Sequence, residues 1–119
     1  YLVNKVTDAT MEDVRVTQPK AAATAVTEDV AATITDLMFR SEQYTYGYDG
    51  NGFASKTGTA EHGDGLPPHT WYVAFDPDKD IAVGVVVKNG GHLGEAATGG
   101  QVSSLIGRAI LRAYTGGAQ

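Results

Sequence analysis

Cysteine is absent from the 119-residue sequence. That excludes disulfides and cysteine-ligated metals, and fits either a reducing compartment or an exported protein that avoids thiols. Basic runs are absent too: 9 Lys and Arg stand against 14 Asp and Glu, a formal charge of −5. Nothing here could track a phosphate backbone, so nucleic acid is not an expected partner and an anionic ligand would have to be held locally. No apolar stretch approaches the roughly 18 residues of a membrane span, and there is no basic-then-apolar leader. What is present is a globular composition, 42% hydrophobic and 19% charged, enough for one domain with a buried core. The chain opens without Met and inside an extended apolar pattern, Tyr1-Leu-Val-Asn-Lys-Val-Thr7. It reads as the C-terminal piece of a longer polypeptide.

Two β-prone runs, residues 1–7 and 14–17, flank the turn-like Asp8-Ala-Thr-Met-Glu-Asp13, which predicts a hairpin over residues 1–17. Pro19 then breaks the chain. Val26, Val30, Ile34, Leu37 and Met38 share one stripe at helical spacing. With Thr27 as N-cap, Glu28 and Asp29 in the first turn and Arg40 near the end, they predict a helix over residues 27–40. Residues 41–52, which include Tyr44, Tyr46 and Tyr48, read as a loop that either lines a groove or packs its rings onto the surface. The glycines and prolines of residues 62–69 predict a mobile flap.

Residues 70–75 and 80–88 are β-branched and aromatic, with Asp76-Pro-Asp-Lys79 as the turn of an antiparallel hairpin. The second of these runs is nearly all apolar, which predicts burial on both faces and a central place in the sheet. After a glycine-rich loop at 89–95, Val102, Leu105, Ile106, Ala109, Ile110 and Ala113 predict an amphipathic helix over residues 96–114. The fold class is α+β: a hairpin, a helix, a three-stranded antiparallel sheet within residues 52–88, and a helix, with the helices covering the sheet.

Chemistry concentrates in Gly52-Phe-Ala-Ser-Lys-Thr-Gly-Thr-Ala-Glu61. Lys56 and the hydroxyls of Thr57 and Thr59 are donors suited to an anion, and Gly58 removes a side chain where a ligand could approach. A phosphate loop is the first competing reading, but Ser55 stands where its second glycine is required and no helix pattern follows. An ordinary edge strand blunted by a lysine is the structural alternative. His62 and His69 lack a third ligand at metal spacing, and His92 is most simply a loop residue. No serine sits in a Gly-x-Ser-x-Gly elbow. Asp76, Asp78 and Asp80 alternate like a calcium loop but lack its glycine and closing glutamate, so a turn accounts for them.

These residues also carry a resemblance. Tyr1-Leu-Val-Asn-Lys-Val-Thr7, Ala54-Ser-Lys-Thr-Gly-Thr-Ala-Glu61, His69-Thr-Trp-Tyr-Val-Ala-Phe75, Ile81-Ala-Val-Gly-Val-Val-Val87 and the final helix resemble, in order and spacing, the C-terminal part of a penicillin-binding protein transpeptidase domain. The similarity is to the monofunctional class B peptidoglycan transpeptidases, an actinobacterial member in particular, and covers essentially the whole chain. It implies that Lys56 orients a substrate carboxylate, with Thr57 and Thr59 as hydroxyl donors to it and Gly58 allowing close approach. It further implies that the Thr59 N–H is one of two oxyanion donors when a serine attacks a D-Ala-D-Ala carbonyl. The family's sheet has five strands, of which this chain would supply three, with the Lys-Thr-Gly strand as the edge beside the active-site groove. The apolar strand 81–87 would then lack its neighbour.

The sequence departs from a complete enzyme in one respect. Neither Ser-x-x-Lys nor Ser-x-Asn nor Tyr-x-Asn occurs. The nucleophile is expected upstream, on a separate chain left by proteolysis or on an unseen stretch of the same polypeptide. This chain alone should neither take up penicillin covalently nor transfer peptide. The implied partners are that upstream part, the D-Ala-D-Ala end of a peptidoglycan stem peptide, β-lactams and cell-division proteins. No cofactor or metal is implied, and the implied place is the extracytoplasmic face of the bacterial plasma membrane, through an anchor outside this chain. A serine β-lactamase or D,D-carboxypeptidase fragment, or a non-catalytic β-lactam-sensing domain, would share the same motif.

Overall fold

The computed structural model describes residues 3–18, 20–21 and 23–116. Strands β1 (Lys5–Thr7) and β2 (Asp13–Val16) pair antiparallel, with an irregularity between Val6 and Thr7. The Asp8 carboxylate closes their turn by accepting from the Thr10 and Glu12 N–H groups. The Tyr1 end of the expected hairpin and the Pro19 break lie outside the described residues.

Helix α1 (Glu28–Gln43) runs one turn past Arg40. Ser41, Glu42 and Gln43 contain no helix breaker, and Glu42 is drawn into the core. Thr27 holds the N-cap position in extended conformation but its hydroxyl makes no capping bond. The predicted stripe exists, yet Val30, Ile34 and Leu37 stay exposed among the described residues.

Strands β3 (Ala54–Ala60), β4 (His69–Asp76) and β5 (Ile81–Val87) form one antiparallel sheet in the order β3-β4-β5. Registers run from Ala54↔Phe75 to Ala60↔His69 and from Thr70↔Val87 to Asp76↔Ile81. His69 opens β4 instead of closing the loop before it. Among the described residues β5 is an edge rather than a central strand: β4 alone pairs with it there, and Ala82, Gly84 and Val86 are exposed. Its apolar run reflects two apolar faces of which the described residues cover one. The Asp76 carboxylate accepts the Asp78 N–H at 3.0 Å, so it serves the β4–β5 turn.

The core lies on one sheet face, where Tyr72, Ala74 and Val85 meet Phe53 and Leu111. Helix α2 (Ser103–Thr115) covers that face. It starts seven residues later than predicted from residue 96, because residues 88–96 form 3₁₀ turns broken by positive φ at Asn89, Gly90, Gly91 and Gly94, and residues 99–102 turn again. The face α2 buries is not its apolar stripe. Ser103, Ser104, Gly107, Arg108 and Leu111 are buried, whereas Leu105, Ile106 and Ile110 are exposed. Small residues permit the close approach: a Cβ on Gly107 would lie 2.6 Å from Cε1 of the Tyr72 ring.

Candidate functional site

Strand alternation divides the Lys-Thr-Gly segment between the two sheet faces. Ser55 and Thr57 pair with Ala74 and Tyr72 and so point toward the helices; Lys56 and Gly58 pair with Val73 and Trp71 and point away. Lys56 is exposed, on a strand whose second edge is unpaired among the described residues. Its ammonium donates to the Thr57 carbonyl at 2.7 Å, and no carboxylate pairs with it among the described residues. A ligand lying along the free edge is therefore the kind that could meet both the Lys56 cation and hydroxyls projecting from the opposite face.

Thr59 is held from outside the strand. Its hydroxyl accepts the Gly99 N–H at 3.2 Å, which leaves the Thr59 O–H proton available to an anion and polarises it. Gly99 lies so close over the sheet that a Cβ there would stand 2.6 Å from both the Gly58 and the Trp71 carbonyl oxygens. Beyond Thr59, a cleft of about 400 Å³ is bordered by Glu61, Asp64, Leu66 and Glu95. The loop that forms one wall is irregular, as its glycines and prolines dictate. It is joined by stacked rings of His62 and His69, 3.9 Å apart, and by a 2.9 Å contact from His62 Nε2 to the Pro67 carbonyl. The Asn89 N–H donates to His69 Nδ1 at 3.1 Å, and burial, with the nearby His62 and Lys88 charges, holds His69 below the ordinary imidazole value. His62 Nε2 and His69 Nδ1 are thus engaged with backbone groups, and no group of three metal-ligating side chains exists among the described residues.

Of the two readings of the tyrosine loop, Tyr44 and Tyr46 fit neither among the described residues. Tyr44 and Tyr46 stand out into solvent, so they neither enclose a cavity nor pack the loop down.

Sequence reasoning missed the cluster behind the strand. The fully buried Glu42 carboxylate at the end of α1 accepts from Arg108 Nε at 2.5 Å, Asn51 Nδ2 at 2.9 Å, Tyr72 Oη at 3.0 Å and the Ser55 hydroxyl. Burial pushes Glu42 up, but the bonds from Arg108, Ser55 and Asn51 and the guanidinium charge together hold it below the ordinary carboxylate value. Burial and the adjacent Glu42 charge push the Tyr72 phenol up to about 12. Arg108 also donates to the Tyr46 carbonyl at 2.7 Å, fixing the loop that leads to β3. The available signal was an arginine on the small-residue side of α2, opposite its apolar stripe.

Residues 1–112 match the family model described as the penicillin binding protein transpeptidase domain. The peptidoglycan D,D-transpeptidase PbpA of Mycolicibacterium smegmatis is 44% identical, covering 95% of this chain and 24% of that protein. PbpA of Mycobacterium tuberculosis is 40% identical with the same coverage. Among solved structures, the crystal structure of PBPA from Mycobacterium tuberculosis superposes with a TM-score of 0.83 at 38% identity, covering 97% of this chain and 27% of that one. The imipenem acyl-enzyme complex of penicillin-binding protein A from M. tuberculosis gives 0.78 at 37% identity, covering 95% and 26%. The chain spans about a quarter of the length of the curated relatives it matches.

Proposed function

Because the chain belongs to the penicillin-binding protein transpeptidase family, we propose that it is the C-terminal part of a peptidoglycan D,D-transpeptidase and supplies that enzyme's substrate-binding strand. One observation carries the reading: Lys56-Thr-Gly-Thr59 lies on a free-edge strand with its ammonium exposed and unpaired by any carboxylate among the described residues. In this role the Lys56 ammonium orients the terminal carboxylate of D-Ala-D-Ala, and the Thr57 and Thr59 hydroxyls donate to it. An upstream serine attacks the penultimate D-Ala carbonyl. The tetrahedral oxyanion is met by the Thr59 N–H and by the serine's own N–H, the terminal D-Ala leaves as the amine, and an acceptor amine then takes the acyl group. Gly58 keeps the strand surface open to the peptide. β-Lactams, as mimics of D-Ala-D-Ala, would acylate the same serine.

The surface of the chain agrees with its being one part of a larger fold. Its radius of gyration is 18.1 Å, against about 13–14 Å for a compact domain of this length. Trp71, Val73 and Val86 leave one sheet face apolar and exposed. No helix among the described residues is long and apolar enough to cross a membrane, so an extracytoplasmic, membrane-anchored placement would depend on the remainder of the protein. Recruitment by cell-division proteins belongs to the same proposal.

The test uses the full-length protein and a fluorescent penicillin, followed by peptide mapping. Label is expected on an upstream serine of a Ser-x-x-Lys motif, none on this segment, and at least a hundredfold slower labelling in Lys56→Ala. Full-rate labelling in Lys56→Ala would overturn the role given to the strand. Rapid release of hydrolysed penicillin would point instead to a β-lactamase or carboxypeptidase.

A further inference from the structure

The segment that carries Lys56 has little to hold it in place. Ala54-Ser-Lys-Thr-Gly-Thr-Ala60 contains no large apolar side chain, and β3 pairs with a single strand among the described residues. Register in a strand is set by the side chains of its buried face, and small or glycine-containing strands specify it weakly. A slip of one residue would turn Lys56 inward. Only Ala54 and Ser55 of β3 are fully buried, and Ser55 is the residue whose hydroxyl reaches Glu42.

Glu42 is otherwise hard to explain. A buried ion pair such as Glu42–Arg108 gains little over apolar residues of the same volume, and the best-attested use of such groups is to fix register. Here one carboxylate gathers donors from the loop before β3 (Asn51), from β3 (Ser55), from β4 (Tyr72) and from α2 (Arg108). Ser55 cannot satisfy its hydroxyl in this way unless its neighbour Lys56 projects from the opposite face. We propose that Glu42, buttressed by Arg108, is a positioning residue for Lys56: by binding the Ser55 hydroxyl it fixes the face and register of the substrate-binding strand. This rests on the transpeptidase reading above.

Removing Glu42 would strand a buried guanidinium, so the test is made at the hydroxyls. Ser55→Ala and Tyr72→Phe each delete one hydrogen bond to the same carboxylate oxygen and leave the Glu42–Arg108 pair intact. Only the first deletion lies beside Lys56. In the full-length protein, stopped-flow acylation by a fluorescent penicillin separates the pre-acylation constant K from the acylation rate k2, and melting temperature is measured alongside. The expected result is a fall in k2/K of tenfold or more in Ser55→Ala, mostly through weaker K. Tyr72→Phe should melt no higher than Ser55→Ala and yet acylate within about twofold of wild type. Equal acylation by all the proteins, or slowing in both variants in proportion to lost melting temperature, would make the cluster merely structural and overturn the proposal. If the wild type takes no label at all, the transpeptidase reading fails, and this inference fails with it.

Discussion

Gly107 is the point where α2 is seated on the sheet, and replacing it by alanine gives a cost whose sign runs against helix propensity. In a helix interior, Gly→Ala ordinarily stabilises by roughly 1 kcal/mol. At this position a methyl would stand 2.6 Å from Cε1 of Tyr72 and closer still to Cδ1. The Tyr72 ring is fully buried and tethered at its far end, where the phenol donates to Glu42 at 3.0 Å. Two responses remain. Either α2 lifts from the sheet, an overpacking strain of about 1–3 kcal/mol, or the ring turns and gives up a hydrogen bond to a charged acceptor, worth about 1.5–3 kcal/mol. Set against the propensity gain, the net expectation is a loss of up to about 2 kcal/mol. Urea unfolding of the protein and of Gly107→Ala, followed by circular dichroism, should show a lower midpoint at unchanged slope. If the ring response dominates, Tyr72→Phe and Gly107→Ala will be less than additive, since the bond can be lost only once. A Gly107→Ala protein more stable than wild type, showing the helix-propensity gain without an opposing cost, would refute the seating of α2 on Tyr72.

Gly99→Ala would put a methyl 2.6 Å from two backbone carbonyl oxygens that cannot rotate away. The Gly99 N–H should lift off Thr59, and penicillin acylation of the full-length protein, read by gel fluorescence, should slow at least fivefold; unchanged acylation would detach Thr59 from this support. For pH, the folded Glu42 carboxyl lies below its ordinary value, so its contribution is present above that ordinary value and is lost as pH falls through the lower folded one. Stability of the wild type should therefore fall more steeply than that of Glu42→Gln as pH drops below about 4.5, measured as urea midpoint against pH; parallel curves would refute the assignment.

The elements were legible in the sequence wherever a period or a breaker stood alone. β-Branched and aromatic enrichment marked β4, and Asp76-Pro-Asp-Lys79 marked the turn to β5. Faces were less legible, because a hydrophobic pattern says which residues would be buried by something without saying by what. On α2 the pattern selects Leu105, Ile106 and Ile110, yet Ser103, Ser104, Gly107, Arg108 and Leu111 face the sheet. The Tyr72 ring already fills that space, so close approach rewards small residues over large ones. On β5 an unbroken apolar run was read as a central strand, although the described residues provide one neighbour and one cover. In both places, as on α1, apolar surface was identified correctly as to chemistry and assigned to a contact that the described residues do not make.

The candidate site divides along the same line. That Lys56, Thr57 and Thr59 could serve an anion follows from side-chain chemistry, and a four-residue motif suffices to state it. Where those groups point does not follow from the motif, since a strand turns every side chain over when it slips by one residue. The direction is instead tied to a hydroxyl at Ser55, a carboxylate 13 residues before it and a guanidinium 66 residues beyond that carboxylate. No local period connects such positions, and each taken singly is an ordinary polar residue. On the proposed function, β-lactam reactivity is then sensitive to substitutions that leave Lys-Thr-Gly-Thr untouched. The sensitive positions are Ser55 and Glu42, which face away from any ligand on the exposed side of the strand, rather than Tyr44 or Tyr46, whose rings stand out into solvent.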